Sequence, residues 1–553
     1  MAKYAIGLDY GTLSVRALLI DIETGREAGV SVFNYPHGVM EKELPTGELL
    51  PNGFALQHPQ DYIDGLIYVI TNVMKQSKVK KEDVVGIGID FTASTVLPVK
   101  KDGTPLCQTK EFEREPHAYV KLWKHHGGEE EATYIDKIAK EKNEEWLSLY
   151  GGKISAEWML PKVLETLNQA PKVYEKAERY IEAMDWIAWN LIGEDICSAN
   201  VLCYKGFVNY RTGYPSKEFL QALDPRMQNL YEEKFGAPQK RIGETAGILT
   251  KEMAEKLGLC EGTPVGTPII DSHSGVLGGG IIEAGEMMIM VGTSFCHLVY
   301  SQKEEEVKGI CTLAKEGILP NYYAYEAGQS GGGDIYAWFT KNCVPEKYEI
   351  EAREEGVGIH QLLCEKLKDY KAGQSGLLAL DWFNGVRSPL MDYNLNGLLL
   401  GMNLQTKPEE IYMALIEATA FGTRMIIEEF EKSNISIDKI VLSGGIPLKN
   451  PMLVQVYSDI LNREISVCPT TQAGALGAAI LGVSAASSKI TGYSSLTEIV
   501  DKLGKRGDKI YYPNADNVRQ YNKLFEEYKI LHEYFGKGMN DVMRHLNELR
   551  KKQ

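Results

Sequence analysis

At 553 residues the chain exceeds what a single hydrophobic core sustains, so two domains or more are expected. A 44% hydrophobic share with 24% charged residues is that of a soluble globular protein. The formal net charge of −15 excludes a nucleic-acid partner, which needs a basic face, but leaves room for a nucleotide neutralised locally by magnesium and backbone dipoles.

In chain order, residues 4–21 read YAIGLDYGTLSVRALLID, two β-rich arms joined by the turn Tyr10-Gly11-Thr12. Gly11 lets the backbone approach a ligand closely, and the turn's N–H groups with the Thr12 and Ser14 hydroxyls can face an anion. Asp9 at the mouth suits a magnesium-bound water better than phosphate itself. A third strand is expected over 26–35, a loop over 36–57, and an amphipathic helix over 58–77, where Tyr62, Leu66, Val69 and Val73 recur at helical spacing. The run 84–90, VVGIGID, reads as a strand buried on both faces.

Residues 129–193 are expected to be largely helical, with Pro161 and Pro171 marking helix starts, and 196–245 irregular. A strand over 264–270 leads into Asp271-Ser272-His273, and the Gly-rich stretch 275–285 supplies the domain boundary. The expected domains are 1–285 and 286–553. At 286–301 the hairpin logic repeats around Gly292-Thr293-Ser294. Helices follow from Asp334 and over 409–431, then a strand over 439–442 that ends in Ser443-Gly444-Gly445. A helix at 451–461, a strand at 464–467 and a helix at 474–486 complete an α/β order. In the tail, Leu524, Tyr528 and Leu531 at helical spacing suggest a packed face.

The 474–486 stretch is the longest apolar run and is short and small-residue rich, so it reads as a buried helix rather than a membrane span. Nine cysteines with no C-x-x-C pair point to reduced thiols, and His125, His126 and His273 are too scattered for a metal site. A functional hairpin from Tyr4 would not survive removal of a leader, so a cytoplasmic protein without membrane partners is expected. A homodimer stays open.

Neither G-x-x-x-x-G-K-[ST] nor a Gly-rich fingerprint after the first strand occurs, so any ATP falls to the two hairpins and Gly444-Gly445. DYGTLSVR at 9–16, VGTSFCH at 291–297, SGGIPLKNPMLVQVYSDILNREISV at 443–467 and TQAGALGAAILG at 471–482 resemble the FGGY carbohydrate kinases. DFTAS at 90–94, SAEWMLPK at 155–162, DSHSG at 271–275 and LDWFNGVRSP at 380–389 narrow the resemblance to members acting on ketopentoses. The resemblance implies an α/β fold of two ribonuclease H-like (actin/hexokinase-type) domains flanking a central cleft, and ATP- and Mg2+-dependent phosphorylation of L-ribulose.

It further implies Asp271 as general base and metal neighbour, and Asp9 as the residue orienting the metal. Gly11, Thr12, Ser14, Arg16, Gly292 and Thr293 fall on the phosphates; Gly444, Gly445 and Asn450 fall on the adenosine. Asn450 equally reads as a helix N-cap, Arg16 as an ion-pair partner, and Asp271 as a turn cap. The Trp-x-Asp-x-Arg stretch of many members is replaced here by PHAYVKLWKHH, which leaves Ala93, Lys205 and Glu326 as implied sugar contacts. Three rivals remain at this point: another pentulose or polyol as acceptor, a nucleotide-gated sugar binder without kinase activity, and a glycosidase using Asp271 and Glu326.

Overall fold

The computed structural model describes residues 2–551. The chain divides into two compact units: one comprises 1–282, 313–324 and 472–504, the other 283–312, 325–471 and 505–553. The first break lies within three residues of the boundary read at 285. Segments 313–324 and 472–504 return to the first unit.

The first unit is built on a sheet whose strands are β1 (Tyr4–Tyr10), β2 (Ser14–Asp21), β3 (Glu27–Asn34), β4 (Val84–Phe91), β5 (Thr245–Ile248), β6 (Pro264–Gly266) and β7 (Ile269–Ile270). Their order is β5-β6-β4-β1-β2-β3, with β7 also paired to β4. The first three form an antiparallel meander, while β4, β6 and β7 add in parallel. Every residue of β4 is buried, as its unbroken apolar run requires.

One face of the sheet is covered by helix α1 (Pro59–Ser77), whose residues Tyr62, Leu66, Val69 and Val73 are fully buried. The expected 264–270 strand is split, because Pro268 has no N–H to donate and Thr267 N instead bonds Glu244 O at 3.0 Å. Helix α2 (Asp271–Gly278) follows at once.

The Ala473–Ala485 helix is buried along nearly its whole length and lies on β1, β4 and α2. The approach is backbone to backbone. A Cβ on Gly7 would fall 1.9 Å from Ala475 O, one on Gly86 1.9 Å from Gly482 O, and one on Gly88 1.8 Å from Ala478 O. The same holds between helices, where a Cβ on Gly278 would fall 1.9 Å from Ala473 O.

The second unit repeats the plan with β8 (Glu286–Val291), β9 (Phe295–Ser301), β10 (Tyr323–Gln329), β11 (Lys439–Ser443), β12 (Glu464–Val467) and β13 (Ile510–Tyr511). The order β10-β9-β8-β11-β12-β13 places a later strand parallel to the first arm of the hairpin, as β4 stands to β1. Its helices include α3 (Gly333–Asn342), α4 (Pro408–Lys432), α5 (Pro451–Leu461) and α6 (Ala515–Gly536). The tail differs from expectation in phase. The buried face of α6 is Val518, Tyr521, Phe525, Tyr528 and His532, whereas Leu524 and Leu531 are only half-buried. Aromatic rings claim the core because Phe525 and Tyr528 stack beside Phe421 of α4.

All nine cysteines are free thiols. Among the described residues no single helix is long and apolar enough to cross a membrane.

The glycine contact yields a direct expectation. Gly88→Ala forces helix and sheet apart and lowers stability by about 3 kcal/mol. Gly358→Ala, which adds a methyl in open space, changes it by less than about 0.5 kcal/mol. Urea midpoints of the two variants measure the difference.

Candidate active site

Strands β1, β4 and β7 run parallel and end side by side. Asp9 is in register with Asp90, and Ile269 stands opposite Asp90 on its other side. Asp271 follows as the first residue of α2. Three carboxylates thus gather at the carboxyl ends of neighbouring strands, where open α/β sheets bind their ligands. Burial raises the Asp9 carboxyl above its usual range, against the pull of Arg16. Burial lifts Asp90 further, and the charges of Asp9 and Asp271 add to the effect.

Arg16 makes the ion pair that sequence reasoning set beside phosphate binding. Its Nε lies 3.4 Å from Asp9 Oδ2, and its Nη1 donates to Gln472 Oε1 at 2.9 Å. Asp271 Oδ1 accepts the Ser272 N–H at 2.7 Å, but the N-cap of α2 is Ile270 and no side chain caps the helix. The rest of the DSHSG stretch holds this turn. His273 is fully buried, 2.8 Å from the Asn200 amide, and Asn200 Oδ1 accepts from Ile270 N at 3.0 Å. Ser274 Oγ donates to Gly474 O at 2.8 Å and ties α2 to the Ala473–Ala485 helix.

The first hairpin turn is closed by Gly11 N donating to Ser14 O at 2.9 Å. Two side chains fix Thr12: Gln57 Nε2 donates to its carbonyl at 2.7 Å and Trp123 Nε1 to its hydroxyl at 3.1 Å. That hydroxyl keeps its own hydrogen to donate.

Ala93 lies in the turn that follows β4. Two buried charged residues brace this turn: Lys162 Nζ donates to the carbonyls of Ser94 and of Leu122, the latter at 2.7 Å, and Glu182 Oε2 accepts Thr95 N at 2.8 Å. Burial lowers the Lys162 ammonium and raises the Glu182 carboxyl, each tempered by the opposite charge of the other. Lys205, at the end of the helix Ala199–Lys205, is buried and acts electrostatically on Glu182. It therefore stands near the Ala93 turn rather than in solvent.

In the second unit, Gly292 N donates to Ser294 O at 3.2 Å, and the turn's carbonyls accept the first amides of α3: Gly333 N to Gly292 O at 2.9 Å and Asp334 N to Thr293 O at 3.3 Å. Gly444 sits beside the hairpin with φ +118°, where a Cβ would stand 2.4 Å from Val291 O, so only glycine fits. Gly445 has open space around its Cβ position. Asn450 caps α5, its side chain accepting from Leu453 N at 3.0 Å. Gly292, Thr293 and Gly444 thus meet in one place in the second unit. Glu326 is buried within β10.

Sequence reasoning missed Asp90, Lys162 and Glu182. The first two stand in quoted stretches, DFTAS and SAEWMLPK, and the available signal was an ionisable residue set in an apolar run.

Comparison with known proteins matches residues 4–278 to the N-terminal domain and 287–486 to the C-terminal domain of the FGGY family of carbohydrate kinases. The chain belongs to that family. It is 48% identical to the ribulokinase of Bacillus licheniformis over 97% of this chain and 98% of the relative. It is 45% identical to that of Geobacillus thermodenitrificans over 98% and 96%. Among solved structures, gluconate kinase from Lactobacillus acidophilus shares the fold with TM-score 0.79 at 19% identity, covering 97% of this chain and 99% of that one.

The brace under Ala93 can be probed directly. Lys162→Met removes both donated bonds and leaves Lys205 as the remaining counter-charge of Glu182; with Ala93 read as a sugar contact, the KM for sugar is expected to rise about tenfold while that for nucleotide stays within about twofold. Steady-state kinetics with each substrate varied in turn check the split.

Proposed function

We propose that this carbohydrate kinase transfers the γ-phosphate of ATP to L-ribulose, giving L-ribulose 5-phosphate in the use of L-arabinose. The observation that carries the reading is the near full-length identity to proteins named ribulokinase, at 45–48% for the relatives above.

In this reading Asp271 takes the proton from the attacking sugar hydroxyl. A carboxylate at a strand end, on the first turn of a helix, suits a base held in fixed orientation. Ala93 through its backbone, Lys205 through its ammonium and Glu326 through its carboxylate hold the sugar's oxygens. The hairpin turns at Gly11-Thr12, with Ser14 and Arg16, and at Gly292-Thr293 receive the phosphates; Gly444, Gly445 and Asn450 receive the adenosine. Asp9 and Asp271 would hold Mg2+, whose charge offsets that of the transferring phosphoryl group. The acidic, partly exposed donor set at the ends of β1 and β7 is of the hard-oxygen kind such an ion prefers. We place the protein in the cytoplasm.

ADP release measured across the ketopentoses, with a hexose and glycerol as controls, tests the substrate: L-ribulose is expected to be turned over fastest. Release with no sugar in the panel would favour a nucleotide-gated sugar binder instead. Asp271→Asn is expected to lower kcat about 10²–10⁴-fold with ATP still bound. Near-normal turnover in that variant would refute the role of Asp271.

A further inference from the structure

Asn200 has no part in the reading above, yet it is fully buried with both polar atoms engaged. Its Oδ1 accepts the Ile270 N–H at 3.0 Å, and its Nδ2 donates to Gly317 O at 2.7 Å and meets His273 Nδ1 at 2.8 Å. The Ile270 N–H can only donate and the Gly317 carbonyl can only accept, so these two fix the orientation of the amide. His273 Nδ1 is therefore the acceptor, which leaves its imidazole neutral with the proton on Nε2. An apolar residue would serve packing alone as well and would need none of these partners.

The contacts converge on the approach to Asp271. Strand β7 pairs with β4 along one edge, Ile270 standing opposite Phe91. The other edge of the stretch 268–270 meets side chains in place of a further strand: Ser198 Oγ donates to Pro268 O at 2.7 Å, and Asn200 Oδ1 takes Ile270 N. Residues 198 and 200 thus answer 268 and 270 at matching two-residue steps, the period of an extended chain. Asn200 then reaches past Asp271 to His273 in the first turn of α2. The His273 ring also rests on Tyr204, one turn further along the Asn200 helix, with ring centroids 4.2 Å apart. One side chain therefore grips the residue before Asp271 and the second residue after it.

We infer that Asn200 is a positioning residue for Asp271: by pinning Ile270 N and His273 Nδ1 it sets the direction in which the Asp271 carboxylate leaves the strand end. The inference rests on the reading of Asp271 as general base and adds to it a residue that the family resemblance does not assign. A base must stand within hydrogen-bond reach of the hydroxyl it deprotonates, and a displacement of about 1 Å lowers the rate about 10²-fold. Because the same helix ends in Lys205, support of that helix alone would act on sugar affinity rather than on rate, and the two roles separate in steady-state kinetics.

The test is a double-mutant cycle with Asp271→Asn on the full chain, using ATP and the ketopentose that is turned over fastest. Asn200→Ala is expected to lower kcat about 10–100-fold, with the KM for each substrate within about threefold. In the Asp271→Asn background the same substitution is expected to cost less than about threefold, because the group it aims is already gone. Where Asn200→Ala fails to fold, His273→Leu reads the same tether from its other end. It is expected to lower kcat in the same sense, and His273→Asn, which keeps an acceptor near the Nδ1 position, to restore most of the loss. A raised KM for the ketose with kcat preserved, equal losses in both backgrounds, or an unchanged kcat in His273→Leu would overturn the inference. With Asp271→Asn slow on its own, those results leave the base assignment standing. Near-normal turnover of Asp271→Asn alone would refute both the assignment and the inference.

Discussion

Contact between bare backbones holds the first unit together. The Ala473–Ala485 helix rests on Gly7, Gly86, Gly88 and Gly278 without an intervening side chain, at separations where a single added methyl would overlap a carbonyl oxygen. Close approach gives dense dispersion contacts and excludes water, but it tolerates no change of register. Because Gly7 and Gly88 lie on the strands that carry Asp9 and Asp90 near their ends, the same contact fixes where those carboxylates stand. Gly474, at the head of the helix, is thereby delivered to the carboxylate cluster.

The chemistry of the cluster follows from that confinement. Three acidic groups at the ends of adjacent parallel strands repel one another, and burial strengthens the repulsion. Only one cation, Arg16, is supplied from the hairpin, and it is shared with Gln472. A site with an excess of negative charge is poised to take up positive charge from its substrates, which is what a kinase needs when its phosphate donor arrives with a metal ion. The turn carrying Ala93 is treated differently. It is braced by a buried lysine and glutamate whose charges offset each other.

Much of this was legible in the sequence where one physical signal dominated. The α1 stripe of Tyr62, Leu66, Val69 and Val73, the buried run of β4 and the helix at 451–461 follow from periodicity and a proline at the first helical turn. The hairpins could be read because Gly11 and Gly292 stand at turns between β-rich arms. Legibility ended where tertiary partners decide. Nothing local in AGALGAAILGVSA names the strands it will cover, so its return to the first unit is invisible until Gly7, Gly86 and Gly88 are seen across from it. The α6 face was misread by one position because large aromatics outweigh leucines in the core it meets. Asp90 looked like the end of a strand, and only its register beside Asp9 shows that it joins a carboxylate cluster.

The three-segment make-up of the first unit also bears on how the protein is made. Its sheet is complete once β7 has been synthesised, but the helix that covers the glycine face lies roughly 200 residues further on, on the order of 10–40 s of translation. Over that interval the nascent chain presents a smooth, greaseless strip of peptide groups with nothing laid over it. Assembly of the N-terminal half must therefore wait for the ribosome to finish most of the polypeptide.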